Sequence, residues 1–222
     1  MIRRSAIFIL FIYTLCMPLI AAAWWNDDWS YRKGLTLDTS VTGANLVESV
    51  DEVPVLVRLH TGNFGYFLDM LKDGSDLRFI AGDDKTPLKF HIEKFDPINE
   101  MAFVWVKAPR LNAASNNDKI WMYYGNTAAK GGQDAAGTYD TNQVLVYHFD
   151  ELSAGPADKT AYGNNPASSN ALANPASLIG AGVQFGETGK RIMVSASPSM
   201  RIIPDKGWTF SSWVKLTCLM SL

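Results

Sequence analysis

Two runs rich in aromatic and β-branched residues, at residues 101–108 and 119–124, flank a polar stretch of Asn, Ala, Ser and Asp. Runs of that composition, bounded by turn formers, predict strands. Successive side chains of a strand point to opposite faces. In the first run Phe103, Trp105 and Lys107 therefore share one face, and Ala102, Val104, Val106 and Ala108 share the other. In the second, Ile120, Met122 and Tyr124 oppose Lys119, Trp121 and Tyr123. Both faces are largely apolar, which places these strands centrally in a sandwich and not at an edge.

The same pattern recurs upstream. Strands are predicted at residues 35–37, 53–59 and 77–80, with Pro54 near the start of its strand, where a missing donor is tolerated. Residues 88–95 set Leu88, Phe90 and Ile92 against Lys89, His91 and Glu93, a strand with one wet face. Residues 73–76, 82–85 and 96–99 read as turns, 39–51 as a long polar loop, and 63–71 has room for one helical turn. Roughly seven short strands with no helical period predict an all-β fold, an antiparallel β-sandwich. Residues 125–139, rich in Gly and Ala, read as a linker or edge. Further strands are predicted at 144–151, 182–185, 191–194 and 208–215, with a loop over 153–175. Roughly 80 residues holding four strands are too few to close a second sandwich.

Composition adds an address. The chain has 222 residues, 47% of them hydrophobic, enough for a real core. A net charge of -2 and the absence of a basic stripe argue against a nucleic-acid partner. At the start, Arg3 and Arg4 precede an apolar run over residues 6–20 and a triple alanine at Ala21, Ala22 and Ala23. That is the pattern of a secretory signal peptide over residues 1–23. An uncleaved anchor is the alternative, and this segment is the chain's expected link to a membrane. Cys16 lacks the small residue before it that a lipoprotein needs, and the paired arginines lack the rest of a twin-arginine pattern. Without residues 1–23 the chain holds 18 basic and 22 acidic residues, a charge of -4, and one cysteine, Cys218. An internal disulfide is therefore excluded for the mature chain. These features, with no Asn-x-Ser/Thr acceptor, predict export in a bacterium to the periplasm, the outer surface or the medium.

Candidate chemistry is sparse. Trp24, Trp25 and Trp29 lie within six residues and are candidate ligand-binding aromatics. The competing reading is packing along a sandwich rim. His60, His91 and His148 show no helical metal spacing and have no cysteine beside them. The acid pairs Asp27 and Asp28, Asp83 and Asp84, and Asp150 and Glu151 are sequence neighbours. Neighbours point apart, whereas glycoside hydrolysis holds two carboxyls about 5–10 Å apart across a bond. No nucleophile elbow, Walker loop or complete dinucleotide fingerprint occurs.

The order of Trp29-Ser30-Tyr31-Arg32-Lys33, Asp76-Leu77-Arg78-Phe79, Val104-Trp105-Val106-Lys107 and Tyr123-Tyr124-Gly125-Asn126, together with residues 53–59, resembles a known domain. It is a bacterial exported domain of unknown function, an envelope β-sandwich also found with MotA/TolQ/ExbB proton-channel proteins. The likeness covers residues 24–140 and brings no agreed catalytic residues. Residues 147–151, 182–185 and 210–215 resemble the start of a concanavalin A-like, laminin-G-type jelly roll. The resemblance implies three units: a signal peptide at 1–23, a sandwich at 24–140 and an incomplete jelly-roll segment at 141–222. It implies a truncated product or a fragment. It also implies a calcium site, with Asp150, Glu151 and Asp158 as candidate oxygen ligands. The resulting expectation is a non-enzymatic exported envelope protein, an adhesion or glycan-binding module, with a glycan or envelope protein as partner. The alternative is a periplasmic accessory or sensor domain of a proton-driven membrane complex. A hydrolase is the third class.

Overall fold

The computed structural model describes residues 24–151, 155–177, 180–186, 188–203 and 207–216. The expected signal segment and Cys218 lie outside them. The described chain runs β1 (Tyr31–Leu37), β2 (Val50–His60), a 3-10 turn (Phe67–Asp69), β3 (Arg78–Ala81), β4 (Phe90–Asp96), β5 (Met101–Leu111) and β6 (Asp118–Tyr124). It continues with a one-turn helix α1 (Ala135–Thr138), β7 (Pro166–Ser169), β8 (Leu172–Ser177), β9 (Gly180–Gln184), β10 (Ile192–Val194) and a second 3-10 turn (Pro198–Met200). Among the described residues the chain is nearly all β, and every strand pairing is antiparallel.

Six strands make the sandwich. One sheet has the order β1-β6-β3 and the other β2-β5-β4. The two runs with apolar faces, β5 and β6, are the two central strands, as their patterning requires. Ala102, Val104, Val106 and Ala108 are all buried, the first three within the core between the sheets. Ile120 and Met122 meet them from the first sheet, and Phe64, Phe67 and Met70 close one end. Burying rings such as Phe64, Phe67, Phe79 and Phe90 stabilises the fold by roughly 1.5–3 kcal/mol each. The turn expected within residues 63–71 is the one that delivers Phe67.

The β4–β5 ladder carries an irregularity that the period-two reading does not predict. Ile92 pairs with Val104 and Lys94 with Phe103, so Glu93 is an extra residue in β4. This β-bulge sets two polar residues between Ile92 and Phe95, both of which pack against the core.

Neither sheet leaves its outer face bare. Trp25, Trp29 and Ala129 pack against Ile80, Trp121 and Tyr123 on the outside of the first sheet. Residues 134–148 cover the outside of the second, so the linker expected at 125–139 is partly a packed cover. Asp134 caps α1 by accepting from the Gly137 N–H, and Thr138 and Tyr139 are buried. One buried carboxylate ties these parts together. Asp76 accepts from the backbone N–H of Leu71 (3.0 Å) and Gly125 (2.7 Å), and its own carbonyl accepts from Trp29 Nε1 (2.6 Å).

The later part of the chain departs further from expectation. Residues 144–151 are not a strand. The Val146 N–H donates to the Asp158 carboxylate, the Val146 carbonyl accepts from Lys159, and Phe149 has a left-handed backbone (φ 60°) that interrupts extension. Residues 153–175, read as loop, contain β7 and the start of β8. β7 pairs with β10 and β8 with β9. The apolar residues at 208–216 are exposed and unpaired in any sheet among the described residues, because a strand needs a neighbouring ladder as well as the right side chains.

Candidate functional site

The tryptophan cluster divides on inspection. Trp29 is buried, and Trp25 packs at 5.1 Å from it and 5.7 Å from the Tyr123 ring. Packing therefore describes Trp25 and Trp29. Trp24 is 36% exposed and stands edge-on to Tyr123 at 5.8 Å. The Arg32 guanidinium lies 5.1 Å from the Trp24 ring and 4.4 Å from Trp121, and the Lys119 ammonium lies 3.7 Å from the far indole. Each such cation–π contact contributes about 0.5–1 kcal/mol at an exposed site. Arg32 is further fixed by an ion pair with Asp84, whose other oxygen accepts from the Tyr123 hydroxyl at 2.6 Å.

A second aromatic group stands at the end of the core. Tyr31 on β1 pairs directly with Tyr124 on β6, and their rings stack at 5.4 Å with 27° between planes. Tyr66, one residue before the first 3-10 turn, stacks near Tyr124 at 6.5 Å and 30°. Tyr124 is buried, while Tyr31 and Tyr66 are 45% and 54% exposed. Gly125 makes this approach feasible, since a Cβ there would lie 2.5 Å from Tyr31 Cδ2. Burial, followed by the nearby Asp69, Tyr66 and Tyr31, pushes the Tyr124 hydroxyl up to about 12. These three phenols and one carboxylate present flat apolar faces edged by donors and acceptors. Sequence reasoning missed them because the tyrosines are scattered along the chain.

The third group is buried. On the outer face of the second sheet, Glu93 Oε2 accepts from Trp105 Nε1 (2.7 Å) and lies 3.2 Å from His148 Nδ1. The Tyr139 hydroxyl is 2.9 Å from His148 Nε2 and 3.3 Å from His91 Nδ1. The two imidazole centroids are 4.9 Å apart. Burial, with His148 and Lys159 nearby, pushes His91 down to about 4. A general base working on a substrate needs access to it. The Glu93 and His148 side chains are 8% and 7% exposed, so the group reads as a joint between segments.

Among the described residues the expected calcium ligands are engaged by protein groups. Asp150 and Glu151 both pair with the Lys159 ammonium, which occupies the position a cation would take between them. Asp158 instead accepts from the backbone of Val146, Thr160 and Asn164. Among the described residues no three His, Cys, Asp or Glu side chains converge as a metal site. A shallow cleft of about 620 Å³ lies beside Glu151, lined in part by Phe149, Asn165 and Ser168. No helix among the described residues is long and apolar enough to cross a membrane.

Comparison with known proteins agrees with the sequence pattern in its coarse form. Residues 73–170 match a family model described as a domain of unknown function, DUF2341. That span begins between β2 and β3, includes the Glu93 bulge and the Tyr139 and His148 contacts, and ends just past β7. No curated protein matches the chain, and no solved structure does.

Proposed function

We propose that this protein is a non-enzymatic glycan-binding module, an adhesin of a bacterial envelope, exported by its N-terminal segment. The carrying observation is the tyrosine stack. Tyr31 and Tyr66 offer exposed rings that stack against buried Tyr124, with Asp69 close by. Pyranose rings present apolar C–H faces and equatorial hydroxyls, which suit aromatic faces edged by phenols and a carboxylate. Trp24, the exposed member of the N-terminal cluster, offers a separate aromatic face on the outer side of the first sheet. We read the later segment, which holds the strand pairs β7–β10 and β8–β9, as the beginning of a concanavalin A-like unit.

The full chain screened on a glycan array, followed by titration calorimetry on the best hit, tests this reading. Tyr66→Ala and Tyr31→Ala should each weaken binding about tenfold, near 1.4 kcal/mol, with little change in melting temperature. Absence of binding across the array, or equal affinity for the double variant, would sink it.

A further inference from the structure

We propose that residues 139–151 form an acid-released strap, latched to the outer face of the second sheet by the Glu93–His148 contact and opened when His91 and His148 are both protonated. The argument rests on the direction of the hydrogen bonds. With both imidazoles neutral, His91 Nδ1–H donates to the Tyr139 oxygen, the Tyr139 hydroxyl donates to His148 Nε2, and His148 Nδ1–H donates to Glu93. Every donor then has an acceptor, in keeping with the rule for buried polar groups. One added proton is accommodated within the His91–Tyr139–His148 bridge. His148 Nε2–H donates to the Tyr139 oxygen, and the Tyr139 hydroxyl turns to His91 Nδ1, which shifts to its other tautomer. A second proton is not accommodated. The Tyr139 oxygen would face an N–H from each ring, its own proton would lose its acceptor, and two cations would stand 4.9 Å apart at the ring centres.

The surrounding charges do not rescue that state. Glu93 on β4 and Asp150 on the strap favour protonation of His91, while Lys159 and His148 oppose it, and burial weighs more than any of them. Solvent is the remaining way to stabilise the doubly charged pair, which requires the strap to leave the sheet.

The strap carries a load on its other side. Val146 bonds to Asp158 and Lys159, Val144 accepts from Asn164 Nδ2, and Thr141 accepts from the Tyr162 hydroxyl. Opening the latch therefore loosens residues 158–165 from the sandwich while β2, β4 and β5 stay paired.

Hydrogen exchange on the full chain from pH 7.5 to 4.5, corrected for the intrinsic pH dependence, tests the proposal. Strap amides should lose about tenfold or more of their protection relative to β5 as the pH falls below about 6. His91→Gln keeps a side chain that can bond to Tyr139 but takes no proton, and should move the loss to lower pH. Tyr139→Phe removes the bridge and should move it to higher pH. Equal protection of strap and β5 throughout the range overturns the proposal, as does simultaneous loss in both. Unchanged midpoints in both variants overturn it as well.

Discussion

Gly125 sits in a left-handed backbone at φ +86° directly under the Tyr31 ring, and its N–H is held by Asp76. Gly125→Ala is expected to cost about 1–3 kcal/mol, from backbone strain together with the ring that must move aside. Thermal or urea unfolding checks this, and a midpoint equal to the parent's would show that the stack tolerates displacement. Asp76→Ala leaves two half-buried backbone N–H groups without their acceptor, at up to about 1–3 kcal/mol each. His91 makes stability depend on pH in a stated direction. Its folded pKa, about 4, lies below the ordinary 6.5, so the unfolded chain binds the extra proton first. The His91 contribution is complete above about pH 6.5, and stability declines as pH falls toward 4, by up to about 3 kcal/mol. Denaturant titrations of the parent and His91→Gln at pH 7 and 4.5 should show a smaller pH loss in the variant. At this scale the sequence was uneven. Face assignments in β5 and β6 followed from alternation alone, whereas His91 and His148 meet through a tertiary contact that no local spacing encodes.

Among the elements, β4 is the most informative. Phe90 and Ile92 keep the two-residue period, and Phe95 then falls three residues on, still against the core. That phase slip is the sequence signature of the bulge, and reading the strand as strict alternation overlooks it. The bulge makes an unusual expectation concrete. Deleting Glu93 would restore regular alternation, so Lys94 and Phe95 can keep their partners Phe103 and Ala102. The second sheet should stay folded while the strap over it loses His148's partner and its protection from exchange. Loss of β5 protection in the deletion variant would show instead that the bulge itself is needed for the sheet. Strand failures had a different cause. Residues 144–151 have strand composition, but Phe149's positive φ and the Asp158 carboxylate redirect the backbone. The Ala, Asn, Pro and Ser of residues 153–175 predict a loop, yet residues within that stretch pair with β9 and β10. Weakly apolar edge strands carry little periodic signal.

For the molecule as a whole, the six-strand sandwich is sealed on both outer faces, by residues 24–29 on one and 134–148 on the other. Exposed large apolar residues gather instead at the far end of the described chain, at Trp208, Phe210, Trp213, Val214 and Leu216. An apolar group of that kind binds hydrophobic dyes and promotes self-association. Replacing Trp208, Phe210 and Trp213 together by serine should lower both dye fluorescence and concentration-dependent light scattering, with the sandwich melting unchanged. Trp105 offers a quieter signal. Its indole lies 5.9 Å from the His148 ring at 28°, nearly parallel, on the covered side of the second sheet. A protonated imidazole in that position withdraws an electron from an excited indole, while a neutral one does so poorly. With the other six tryptophans replaced by phenylalanine, the emission lifetime of Trp105 would become an optical gauge of charge inside the joint, readable in nanoseconds without perturbing it.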